Sequence, residues 1–154
     1  MLEVKSLSAG YLDKHVLEHV DFRIPSEKVT VILGPNGCGK STLLKALCGI
    51  IPADSGQVVL DGENILTLPQ RQLAQRVAYL AQSRQVPDIT VERLVLHGRF
   101  PYLGYPRRYS KKDYAIAAEV MEQMGLTALA HTPMSQLSGG MRQKVYIAMA
   151  LAQQ

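Results

Sequence analysis

The sequence predicts an α/β fold with an antiparallel β start and a helical second half. Three observations carry this. Leu17, Val20, Phe22 and Ile24 alternate with polar Glu18, Asp21 and Arg23, an approximate period of two that belongs to strands. Val29-Thr30-Val31-Ile32-Leu33 is an apolar run that leads straight into a glycine-rich loop and a helical segment. From about Thr90 onward every segment reads as helix or loop.

Taken in order, Leu2 to Leu7 and Val16 to Ile24 are predicted strands, with Gly10 and Asp13 marking the turn between them. Val29 to Leu33 is a predicted buried strand, and Ser41 to Cys48 a predicted helix. Residues 49–56, with Pro52 and Gly56, form a loop. Val58-Val59-Leu60 is a short strand closed by an Asp61-Gly62 turn. Pro69 and Gln70 open a short helix to Ala74, and Val77 to Leu80 is a strand ending at Gln82. Thr90 is a predicted N-cap for a helix to His97 that stops near Gly98, with Glu92 favouring its dipole. Phe100 to Pro106 is a Pro/Gly-punctuated loop. Ser110 and Asp113 give a capping-box pattern; Ala117, Val120, Met121 and Met124 form an apolar stripe that Gly125 ends. Met121 and Met124 read as core filler. A last helix starts at Gly139. These elements divide into a β and loop–helix part at residues 1–85, a helical part at 86–136 and a final helix at 137–154.

The loop Gly34-Pro35-Asn36-Gly37-Cys38-Gly39-Lys40-Ser41-Thr42 fits G-x-x-x-x-G-K-[ST]. From average residue frequencies such a match arises by chance about once in 30,000 start positions, so the motif is specific. Glycines allow a backbone path that turns several N–H groups inward. The helix N-terminus behind adds its positive dipole end. Lys40 can then reach β- and γ-phosphates, and the Ser41 hydroxyl can ligate Mg²⁺. A nucleoside triphosphate is the predicted ligand.

The 154 residues suffice for one domain with a sizeable core, and 47% hydrophobic with 19% charged residues is a soluble globular balance. No apolar run reaches membrane-spanning length. Met1 to Lys5 lacks the basic start and apolar stretch of a signal peptide. A cytosolic chain is expected. Cys38 and Cys48 do not form a metal spacing and are expected as free thiols. The net charge of +4 suits an anionic ligand without demanding nucleic acid. Arg107, Arg108, Lys111 and Lys112 read as a solvated helix start rather than a nucleic-acid patch.

Leu137-Ser138-Gly139-Gly140-Met141-Arg142-Gln143 places small residues and a hydroxyl at a helix N-terminus, a second anion-binding arrangement. With the phosphate loop and a strand ending in Gln82, it resembles the signature of ABC-type ATPases, over the whole chain and in the family's order. Val91-Glu92-Arg93-Leu94-Val95-Leu96-His97-Gly98-Arg99-Phe100-Pro101-Tyr102 resembles the V-x-x-L-V-x-x-G-R-x-P-[HY] string of importers for iron–siderophore, haem and cobalamin.

The resemblance implies a phosphate-loop, RecA-like core with an N-terminal antiparallel β subdomain and a helical subdomain. It implies that Tyr11 stacks on adenine, an aromatic face suiting a flat base. Residues Gly34, Pro35, Asn36, Gly37, Cys38, Gly39, Lys40, Ser41 and Thr42 would hold the phosphates, with Ser41 and Gln82 on Mg²⁺. Gln82, rather than nearby Gln85, matches the glutamine that senses the attacking water. Lys40 and Gln82 are the expected catalytic residues. Ser83 to Asp88 match the segment that meets a transmembrane permease. Ser138, Gly139 and Gly140 would contact the γ-phosphate held by a second ATP-binding subunit in a head-to-tail dimer. The location implied is peripheral, on the cytoplasmic face of the cell membrane, with no nucleic-acid partner.

Two departures stand out. Met141 occupies a position where the family often has Gln, just beyond the phosphate-facing residues. The family's later Asp-Glu strand, which holds Mg²⁺ and polarises the attacking water, does not occur in these residues. The chain is therefore expected to be the N-terminal part of an ATPase subunit, with the C-terminal part of the core missing and no hydrolysis by itself. The alternative is a module that binds ATP without hydrolysing it. A DNA-repair or chromosome ATPase would need a long coiled coil between Gln82 and Ser138, and about 55 residues without sustained heptads do not provide one.

Overall fold

The computed structural model describes residues 1–12, 14–82 and 85–153. Asp13, Ser83, Arg84 and Gln154 lie outside the described residues, so the predicted turn marker and the first part of the predicted permease-facing segment are not placed. Two compact units divide the chain, Met1–Leu73 and Ala74–Gln154.

The first unit is built on a four-stranded sheet. Strands β1 (Leu2–Tyr11), β2 (Lys14–Ile24), β3 (Ser55–Leu60) and β4 (Glu63–Asn64) lie in the order β2-β1-β3-β4, with every neighbouring pair antiparallel. Val4 sits opposite Phe22 on one side and Val58 on the other. Regular alternation along β1 breaks between Val4 and Leu7. Irregular pairing between Val4 and Leu7 forms a bulge, with Ser6 at φ 45°. One extra residue resets which side chains point inward. Val4, Leu7 and Ala9 therefore all reach the core, although strict alternation would place Leu7 and Ala9 opposite to Val4. The Ser6 N–H donates to the Asp21 carboxylate at 2.9 Å. The strand runs through Tyr11, four residues past the predicted end.

Helix α1 (Lys40–Leu47) buries Thr42, Ala46 and Leu47, matching the predicted helix within a residue at each end. A short helix α2 (Gln70–Ala74) buries Leu73.

Two predicted strands are not formed. Val29 to Leu33 and Val77 to Leu80 belong to no ladder among the described residues. Strand geometry persists only where a neighbouring backbone satisfies the N–H and C=O groups. Without one, Val29, Val31 and Leu33 stand 94%, 69% and 86% exposed.

The second unit is helical: α3 (Val91–His97), α4 (Lys111–Gln123) and α5 (Gly139–Ala152). Its caps follow the predicted chemistry. The Thr90 hydroxyl accepts from the Arg93 N–H, and Ser110 and Asp113 form a reciprocal capping box. Val91, Val95, Val120, Leu126, Met134 and Val145 are nearly fully buried together. Met121 lies in that core and Met124 packs against it, as expected of filler. Gly98 caps α3 at φ −55°, so the site demands no special conformation. A side chain is excluded there for another reason: a Cβ would collide with the Met149 carbonyl of α5.

Candidate functional site

The first candidate region is the turn from Gly34 into α1. Gly37 and Gly39 adopt φ 82° and 95°, left-handed conformations that strain any residue with a Cβ. Gly39 is the N-cap of α1 and offers no side-chain cap. The first-turn N–H groups are thus not capped by a side chain, and the first turn carries no acidic residue. Such an end attracts an anion. Gly34 packs close to Cys38: a Cβ would come within 2.8 Å of the Cys38 Sγ.

Lys40 closes this loop on itself. Its ammonium donates to the carbonyls of Gly34 at 2.8 Å and Pro35 at 2.7 Å, and lies 3.7 Å from the Cys38 Sγ. The positive charge is held over the loop rather than out in solvent. Ser41 is exposed, while Thr42 is buried under the loop. Pro35, Asn36, Gly37 and Cys38 are exposed.

Tyr11 ends β1 and is 44% exposed. Lys45, one turn along α1, places its ammonium 3.4 Å from the Tyr11 hydroxyl and 5.7 Å from the ring centroid. The sequence did not mark Lys45; a lysine on an amphipathic helix carries no signal of where it will reach. Cys48 is half-buried, and burial pushes its thiol pKa up.

The second unit holds the other predicted residues. Gln82 is exposed. Three residues on, the Gln85 carbonyl accepts a hydrogen bond from Tyr146 of α5 at 3.1 Å. Ser138 is the N-cap of α5, its hydroxyl accepting from the Met141 N–H at 3.3 Å. Ser138, Gly139 and Gly140 are exposed, and the first turn of α5 carries no acid. Arg142 secures the approach to this end. Its guanidinium donates to the carbonyls of Met134 at 3.1 Å and Ser135 at 2.8 Å.

A buried ion pair lies elsewhere in this unit. Arg99 and Asp113 are 4% and 6% exposed and form an ion pair, with Nε 3.1 Å from Oδ1. Burial raises the Asp113 pKa, but hydrogen bonds from the Ser110 hydroxyl and N–H, followed by the Arg99 guanidinium, outweigh it and hold the carboxyl below its ordinary value. In the sequence Arg99 stands out only as part of the Val91–Tyr102 string, since a buried arginine looks like any other until its surroundings fold.

Among the described residues no group of three His, Cys, Asp or Glu side chains is placed to hold a metal ion. Nor is any helix among them long and apolar enough to cross a membrane.

The profile of the ABC transporter family matches residues 17–154. The chain is 40% identical over 150 residues to the achromobactin transport ATP-binding protein CbrD of Dickeya dadantii, covering 97% of this chain and 56% of that protein. It is 42% identical over 154 residues to the ferric enterobactin transport ATP-binding protein FepC of Escherichia coli, covering 99% and 57%. Among solved structures, a nucleotide-free ATP-binding cassette from an ABC transporter superposes with a TM-score of 0.87 at 25% identity, over 99% of this chain and 65% of the other. An inward-facing metal-chelate type ABC transporter matches with a TM-score of 0.74 at 27% identity, over 99% and 55%. The chain therefore spans a little over half the length of the curated relatives it matches.

Proposed function

We propose, from the premise that this chain belongs to the ABC transporter family, that it is the ATP-binding part of an importer's energy-coupling subunit, with an iron chelate as the class of cargo. The observation that carries the reading is the Gly37–Gly39 path into α1, which leaves backbone donors open to an anion beneath the Lys40 ammonium. On this reading the triphosphate replaces the Gly34 and Pro35 carbonyls as the partner of Lys40. Mg²⁺ keeps several waters and takes few protein ligands; the exposed Ser41 hydroxyl at the start of α1 fits such a ligand, and Gln82 is assigned as a second from the family resemblance alone. Bound Mg²⁺ supplies charge neutralisation at the phosphates. Tyr11 supports the adenine, with Lys45 steadying the ring.

Ser138, Gly139 and Gly140 are assigned to the γ-phosphate held by a second copy, in a head-to-tail pair. The same protein would bind permease subunits through the segment after Gln82, on the cytoplasmic face of the membrane. The cargo class rests on the names of relatives such as FepC and CbrD. Nucleic acid is not among the proposed partners.

A second reading concerns residues 1–154 by themselves. No Asp-Glu pair follows Ser138 within them, so by themselves they bind ATP without turning it over. The test of both readings is nucleotide binding by calorimetry beside phosphate release by the intact protein. Absence of ATP binding that depends on Lys40 would overturn the assignment.

A further inference from the structure

We propose that Arg99 is a positioning residue for the Ser138-Gly139-Gly140 end of α5, acting from the helix's opposite end. Arg99 Nη1 donates to the Ala152 carbonyl at 3.0 Å, across 53 residues of sequence. Tyr102, whose ring lies 3.8 Å from the Arg99 guanidinium carbon, donates through its hydroxyl to the next carbonyl, Gln153, at 3.0 Å. The last carbonyls of a helix lack intrahelical partners, and a cation beside them is favoured by the dipole. Arg99 therefore grips α5 where a guanidinium binds a helix best. Asp113 makes the grip directional. It holds Nε at 3.1 Å while its other oxygen accepts from the Ser110 hydroxyl and N–H at 2.6 and 2.8 Å. The arginine is thus referenced to the first turn of α4.

Stability alone does not account for this arrangement. A buried ion pair is often no better than an apolar pair of the same volume, because both charges lose their water. What the pair supplies is orientation. Helix α5 has 14 residues, a rod of about 20 Å at 1.5 Å per residue. Core contacts at Val145 and Ala148 hold its middle. Arg142 ties its first turn to the short Met134–Gln136 turn before it, and Met141 of that turn packs against the core. Arg99 shares the far end with the Tyr102 hydroxyl on the Gln153 carbonyl and the Gln153 amide on the Ala74 and Val77 carbonyls. Loosening its share lets the rod tilt slightly about its middle, and a tilt displaces the Ser138 end.

The proposal rests on the reading that this end meets ATP held by a second copy, and the experiment separates the two. In the intact protein, Arg99→Met with Asp113→Asn removes both charges while keeping an oxygen for Ser110. ATP affinity of the unpaired subunit stays within twofold, because the phosphate loop lies in the other unit. Turnover falls by about tenfold or more, the scale on which misplaced groups lose rate, and amide exchange at residues 139–142 accelerates. Arg99→Lys keeps a cation beside Asp113 but not the planar fork, and falls between the two; it decides the matter if the double variant does not fold. Ser138→Arg is the control for the underlying reading, and unchanged turnover there sinks that reading. Lost turnover in Ser138→Arg beside wild-type turnover and exchange in a folded Arg99 variant overturns the positioning role alone.

Discussion

The Tyr146 hydroxyl donates to the Gln85 carbonyl at 3.1 Å, which fastens the middle of α5 to the segment that follows Gln82. Tyr146 is 8% exposed, and a buried hydroxyl of this kind usually has a partner. Tyr146→Phe keeps the ring and removes the donor. Stability should fall by about 0.5–1.5 kcal/mol, and amide exchange around residues 85–89 should quicken while α4 is unaffected. Uniform protection at 85–89 in the variant would mean the segment is held by something else.

Lys40→Ala should raise the Kd for ATP by about tenfold to a hundredfold, the equivalent of losing a hydrogen bond to a charged group. Calorimetry on the intact protein measures this directly. The fold should survive, because among the described residues the side chain bonds to the exposed loop beneath it.

Tyr11→Ala should weaken ATP binding by about 1–3 kcal/mol, the range for base–aromatic stacking. Tyr11→Phe should be close to neutral, since the hydroxyl contributes only a long 3.4 Å contact with Lys45. Equal losses in the two variants would assign the effect to the hydroxyl and remove the stacking role.

Acid should destabilise the second unit through Asp113. Its pKa is lowered in the folded state, so the carboxylate contributes stability that is complete above the unfolded value of about 3.9. That contribution is lost as pH falls through the lower folded value. Thermal unfolding of wild type should therefore lose more stability below about pH 4 than Asp113→Asn does. Parallel curves for the two proteins across that range contradict the linkage.

Residues 1–154 expressed alone should release no phosphate from ATP over multiple turnovers, and should aggregate through the exposed Val29, Val31 and Leu33. An extension supplying the remaining length of the relatives should restore solubility. Sustained phosphate release by the short chain, abolished by Lys40→Ala, would show that the Asp-Glu element is dispensable.

Local chemistry was readable in the sequence where it is determined locally. The Gly37–Gly39 path, the Ser110–Asp113 box and the Ser138 cap each depend on residues within a few positions of one another. Val29 to Leu33 misled because an apolar run records an intention to be buried but not the strand that buries it. The β1 bulge was invisible because Ser6 carries no special signal for a positive φ. Lys45 and Arg99 were missed as site neighbours for the same reason in another form. Their importance lies in what they meet 34 and 53 residues away.

Gly98 has a mechanical consequence. Where α3 ends, it presents bare backbone to the Met149 carbonyl of α5, with no side chain of its own between the two main chains. Side chains are the compliant part of a protein interior, since they change rotamer before the backbone shifts. A seam without one at this point leaves no room for an added group. A single methyl group at position 98 would act as a wedge between α3 and α5.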